Sequence, residues 1–176
     1  MPSLDEWLMS EETGEPFTHC VACRLPLLET DSPWLVNKDY FHGECVLEYA
    51  ICQRCREEVS NRISESSKEA VRGFLEREIA WEKRVAEFMT SGDVLTRFER
   101  CISCTKERGE CEGYAISALF DAGGELVTGP LPLLICRSCV ARMTEGLSEE
   151  SRRVWKEFLA RHFAGPPDAS GFPGLL

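Results

Sequence analysis

The sequence predicts an α+β protein of two tandem small modules, each a β-hairpin plus a helical pair. Three observations predict it. Four Cys-x-x-Cys pairs stand at Cys20/Cys23, Cys52/Cys55, Cys101/Cys104 and Cys136/Cys139, so one unit of an early and a late pair is written twice. The stretch 51–80 aligns without a gap on 135–164, with ten of thirty positions identical, among them Ile51, Ser64, Glu65, Ser67, Phe74, Leu75, Arg77 and Ala80. Between the pairs of each copy lie β-rich stretches broken by turn residues. Two copies are too few for a solenoid and point to two like domains packed together.

Residues 1–16 read as a flexible arm with a short helical turn at Asp5–Met9. Residues 17–92 form the first module and 93–165 the second, and 166–176 form an irregular tail rich in Gly and Pro. In the first module Trp34-Leu35-Val36, a polar turn at Asn37-Lys38-Asp39, and Tyr40-Phe41 predict a hairpin. In the second, Ile116–Phe120 and Glu125–Val127 flank Asp121-Ala122-Gly123-Gly124, a stronger turn signal. A third apolar stretch enters each late Cys pair, Val46–Ile51 in one copy and Leu131–Ile135 in the other. A short helix then starts at the pair and runs to about Arg62 or Gly146. Ser64 and Ser148, each followed by Glu, predict N-caps of the next helix. Phe74, Trp81, Val85 and Phe88 lie on one helical face, which predicts one long helix from 65 to 90 joining the modules. Trp155, Phe158, Leu159 and Phe163 do the same for the last helix. Trp7, Trp34, Trp81 and Trp155 read as core or interface anchors.

A Cys pair separated by two residues brings both sulfurs to one ion from a single tight turn, and two such pairs fill a tetrahedron. The candidate metal ligands are therefore Cys20, Cys23, Cys52 and Cys55, and Cys101, Cys104, Cys136 and Cys139, implying two zinc ions per chain. A tetrathiolate site also accepts iron. Each module is about 70 residues, where an apolar core alone is marginal and metal binding adds folding free energy.

A pair on a turn, a hairpin, and a second pair opening a helix resembles the treble-clef and zinc-ribbon families over 20–62 and 101–146. Those families often place Gly after the first pair, where Arg24 and Thr105 stand here. The 28 and 31 residues between pairs exceed the most compact zinc modules, and a hairpin accounts for the excess. The segment Glu48-Tyr49-Ala50-Ile51-Cys52-x-x-Cys55 is similar to uncharacterised bacterial proteins, a resemblance that implies no activity.

Other assignments compete. Cys20, Cys23, His42 and Cys45 have the spacing of a LIM first site, but Leu126 and Gly129 stand at the matching places of the second copy. His42-Gly43-Glu44 before Cys52 and Cys55 echoes a zinc deaminase signature, but seven intervening residues leave no room for the helix and strand that separate its parts. A metal-dependent enzyme would draw on His42, Glu44 and Cys45, and a thiol redox protein on one Cys-x-x-Cys pair. His19, beside a ligand, reads as exposed or as an extra donor. Cys111 reads as a loop thiol without a partner, and His162 as a surface residue. No catalytic constellation emerges.

The chain carries 20 basic and 30 acidic residues, a net charge of −10, with no basic run longer than two. Two tetrathiolate zinc sites would each add −2. This balance argues against a nucleic-acid-binding zinc ribbon and suits a protein partner with a basic face. No signal peptide or membrane span is evident, and the paired cysteines fit a cytoplasmic setting.

Overall fold

In the computed structural model, residues 2–163 are described. The tail 166–176 and the last two residues of the second module lie outside them. Five strands form one sheet: β1 (Trp34–Phe41), β2 (Glu44–Cys52), β3 (Gly113–Phe120), β4 (Leu126–Val127) and β5 (Leu133–Cys136). The order is β2-β1-β3, with β4 and β5 both pairing β3. Around it lie α1 (Leu4–Leu8), α2 (Gln53–Arg62), α3 (Glu65–Glu78), α4 (Trp81–Ser91), α5 (Arg137–Thr144) and α6 (Glu149–His162). The fold is α+β, with two tandem zinc-ribbon-like modules, each a hairpin plus a helical pair. Among the described residues no helix is long and apolar enough to cross a membrane.

The modules are joined through their first strands. β1 pairs antiparallel with β3 over its whole length, from Trp34 opposite Phe120 to Phe41 opposite Gly113. Trp34 also faces Cys52, and Tyr114 faces Cys136, so Trp34 corresponds to Tyr114 and Asn37 to Ser117. Asn37 and Ser117 are paired with each other, which places a local two-fold axis at that pair. The stacked rings Trp34–Phe120 (5.7 Å) and Tyr40–Tyr114 (5.0 Å) sit at equivalent places on either side of it.

The helices cross over in the same sense. α3 of the first module packs on α5 of the second, and α6 on α2. The two predicted N-caps are present, and they meet. Ser64 caps α3 by accepting from Ser67 N–H, and Ser148 caps α6 by accepting from Ser151 N–H. The Ser64 N–H donates to Ser151 Oγ at 3.0 Å, and the Ser148 N–H to Ser67 Oγ at 2.9 Å. Each module thus satisfies a backbone donor of the other.

Three predicted features differ. Asn37-Lys38-Asp39 is the middle of β1 rather than a turn. The chain reverses at His42 and Gly43, whose φ angles of 49° and 81° suit a two-residue hairpin turn. Lys38 is fully buried in the strand because the N-terminal segment supplies its partners: Met9 O at 2.6 Å and Glu11 Oε1 at 3.3 Å. The segment read as an arm lies against the sheet. Its Trp7 ring packs on Tyr40, Phe98 and Arg108, and the Tyr40 hydroxyl donates to Glu11.

The predicted long helix 65–90 is two helices. Ile79 is extended (φ −110°, ψ 125°) and turns its side chain into the core. The Trp81 indole N–H then donates to Leu75 O at 3.2 Å, satisfying a carbonyl left open at the end of α3.

Candidate metal centres

Each cluster is assembled from three local structures. The early Cys pair lies on a tight turn that docks on the last strand: Val21 N–H donates to Ala50 O, and Ile102 N–H to Leu134 O, both at 2.8 Å. The turn closes by Arg24 N–H to Cys20 O and Thr105 N–H to Cys101 O, both 3.0 Å. Arg24 and Thr105 adopt left-handed φ angles of 65° and 64°. They therefore keep the conformation that Gly would supply, at some conformational cost. The hairpin carries the chain out and back. The late pair then sits at a helix start, with Cys52 and Cys136 as N-cap residues of α2 and α5.

The four sulfurs of Cys20, Cys23, Cys52 and Cys55 lie within 4.8 Å of one another, as do those of Cys101, Cys104, Cys136 and Cys139. Cys23 Sγ is 3.9 Å from Cys52 Sγ, and Cys104 Sγ is 3.7 Å from Cys136 Sγ. A tetrahedron with zinc–sulfur bonds of about 2.3 Å has edges of about 3.8 Å. None of the ten cysteines is in a disulfide. The donor set fits a divalent ion held by four thiolates, with no coordination position left for substrate.

Backbone dipoles support the sulfurs. Cys52 N–H donates to Cys20 Sγ at 3.4 Å, and Cys136 N–H to Cys101 Sγ at 3.3 Å. At Cys20 burial pulls the thiol upward, but N–H groups of Cys23, Cys52 and Ala22 outweigh it and hold the thiol below its ordinary value. At Cys104 the Lys106 N–H and neighbouring thiols likewise outweigh burial. Burial pushes Cys52 and Cys55 up, and raises Cys101, Cys136 and Cys139 to about 11 each. Four thiols crowded in a partly dry site resist ionising together, and a divalent cation reverses that logic.

The competing candidates do not converge. Among the described residues, His42, Glu44 and Cys45 form no group able to hold a metal ion. His42 is an exposed turn residue with Nε2 3.8 Å from Glu112. The Cys45 thiol points to Leu47 O and Glu48, and burial pushes it up to about 12. His19 Nδ1 is 2.8 Å from the Thr18 hydroxyl, and His19 belongs to neither four-sulfur group. Cys111 differs from its reading as an isolated loop thiol. It donates to Glu107 O at 3.3 Å and lies beside the second cluster, where burial raises it, Cys104 adds to the rise and Cys136 opposes it. The sequence held no signal for this, because no cysteine stands at the matching place of the first copy. No protein-family model matches the chain, and neither a curated protein nor a solved structure does.

Proposed function

We propose that this chain is a zinc-stabilised interaction scaffold with no catalysis of its own. One zinc would be held by Cys20, Cys23, Cys52 and Cys55, and the second by Cys101, Cys104, Cys136 and Cys139. The observation that carries the reading is the closure of both four-sulfur sets: every donor is a cysteine, and four donors complete a structural zinc site. Bound zinc supplies a crosslink between the turn, the hairpin and the helix start, and so adds to folding free energy. The chain's own residues place the sulfurs and aim backbone N–H groups at them.

A protein partner is supported by charge and exposed surface. The net charge is −10, which favours a basic partner face over nucleic acid. Val85 and Met89, one turn apart on α4, are 59% and 79% exposed, and α4 has no buried residue. A cytosolic setting keeps such thiols reduced and available to metal.

The test is elemental analysis of protein purified without chelator, with thiol titration beside it. Two zinc per chain, with only Cys45 and Cys111 outside the sites, is the expected result; iron would change the ion but keep the sites. No metal, or disulfides in its place, would overturn the reading and bring a redox role forward. Cobalt substitution separates a scaffold from an enzyme: a tetrathiolate spectrum that azide and cyanide leave unchanged means no open position.

A further inference from the structure

A cleft of about 480 Å³ lies between α4 and the early Cys turn of the second module, lined among others by Arg84, Phe88, Arg97, Ile79 and Ile102. It holds two neighbouring arginines that form no ion pair among the described residues, although Glu87, Asp93 and Glu99 also line it. Arg97 is only 9% exposed, and its Nη1 donates to Gly129 O at 2.7 Å and Leu131 O at 2.9 Å. Arg84 Nη2 donates to Pro130 O and Pro132 O, while its buried Nε has no hydrogen-bond partner among the described residues. Neither guanidinium has a carboxylate within 4.0 Å among the described residues. Burial, and then the Arg97 charge, holds Arg84 down at about 10. Glu87 opposes this from one turn on, but it is shared with Lys83 at 3.8 Å, and Arg100 across the cleft is committed to Glu107.

Four carbonyl oxygens satisfy N–H groups without cancelling charge. If the arginines only pinned the loop 129–132, neutral donors would do so without setting two desolvated cations side by side. The pair instead matches the charge of a phosphate monoester, about −1.5 to −2 at neutral pH. Guanidinium forks are suited to phosphate oxygens. The volume falls in the range of about 300–1,000 Å³ that small-ligand pockets occupy. One wall is apolar: Phe88, whose ring centroid lies 4.7 Å from the Arg97 guanidinium carbon, with Ile79 and Ile102.

We propose that this cleft binds the phosphate monoester of a small molecule, with Arg84 and Arg97 as its cationic partners and the Phe88 wall against its apolar part. The cleft borders the second four-sulfur cluster, with Cys101 in its lining, but Arg84 and Arg97 belong to neither cluster.

The experiment is calorimetric titration of the full, metal-loaded chain in phosphate-free buffer with phenyl phosphate, inorganic phosphate and benzoate. Saturable binding of phenyl phosphate is expected, tighter than inorganic phosphate and at least about tenfold tighter than benzoate. Arg97→Gln weakens it at least about tenfold. That variant also removes bonds to the loop, so Thr96→Glu is the second variant. Thr96 is exposed, lines the cleft and bonds neither arginine, so the added carboxylate repels the ligand with the fold intact by circular dichroism. No saturable binding up to about 10 mM, equal binding of benzoate, or unchanged binding in a folded Thr96→Glu chain overturns the proposal.

Discussion

Asn37 and Ser117 stand on the local two-fold axis, each at the place that corresponds to the other, and the Ser117 hydroxyl donates to Asn37 Oδ1 at 2.8 Å. Both are buried, and Asn37 Nδ2 has no hydrogen-bond partner among the described residues. The bond therefore joins the modules at the centre of their shared sheet, in a polar pair that is only partly satisfied. Ser117→Ala leaves the Asn37 oxygen unpaired and is expected to cost about 1–3 kcal/mol. Adding Asn37→Leu, which removes the remaining polar atoms at similar volume, should recover part of that loss. Urea unfolding of the wild type and the two variants checks this, and a double variant less stable than Ser117→Ala would contradict it.

The serine cluster makes a second, separable prediction. Ser67 is fully buried and accepts the Ser148 N–H of the other module at 2.9 Å. Ser67→Ala strands that donor at the start of α6 and should destabilise the chain by about 1–3 kcal/mol. Ser66→Ala, in the exposed neighbour, should change stability by less than about 0.5 kcal/mol. Thermal melts of the two variants side by side decide whether the cap-to-cap contact is responsible.

Gly146 is held by space rather than by its backbone angles. A Cβ there would come 2.6 Å from Ala70 Cβ on α3, so the second module closes onto the first at this point. Gly146→Ala should cost about 1–3 kcal/mol through overpacking. Ala70→Gly in the same chain should relieve the clash but adds a helix-interior glycine of about 1 kcal/mol. Denaturant midpoints of both chains measure the coupling.

Metal loss should be separable by module. Cys136→Ser should lower zinc from two per chain to one, while Cys45→Ser should leave two, since Cys45 faces Glu48 rather than the cluster. Chelator added to the wild type should reduce helical circular dichroism, because each late pair opens a helix. Full zinc content in Cys136→Ser would show that the four sulfurs are not a ligand set.

Cys45 gives a pH dependence. Burial first, and then the Glu48 charge, raises its thiol to about 12. The protonated thiol is the favoured form in the folded state, so its contribution to stability is complete below the unfolded value of about 8.5 and is lost as pH rises toward 12. Alkylation of the metal-loaded chain by iodoacetamide should therefore be slow at Cys45 below pH 9, with Cys111 reacting first. Peptide mapping after timed quenching reads the order, and a faster Cys45 would contradict it.

The metal architecture was legible because ligand spacing is local: two residues between sulfurs set a turn, and a Ser-Glu pair sets a cap. The Asp121–Gly124 turn was legible for the same reason. The middle of β1 was not. Asn37, Lys38 and Asp39 have turn-like polarity, and what makes them strand is distant: Ser117 across the axis, and Met9 O and Glu11 in the N-terminal segment. The break at Ile79 escaped because Phe74, Trp81 and Val85 keep a helical period through it, while tertiary packing draws Ile79 inward. The site beside Arg84 and Arg97 escaped because thirteen positions separate two residues that meet only when α4 folds back.

The pairing of β1 with β3 has a consequence for how the chain responds to dilution. A two-fold contact between like units ordinarily belongs to a dimer, whose halves part as concentration falls. Here the chain between Phe41 and Gly113 ties the partners together, so each half meets the other at an effective concentration fixed by the tether rather than by the solution. The contact should stay closed at any protein level, and the melting temperature should be the same at the lowest and highest concentrations that can be measured.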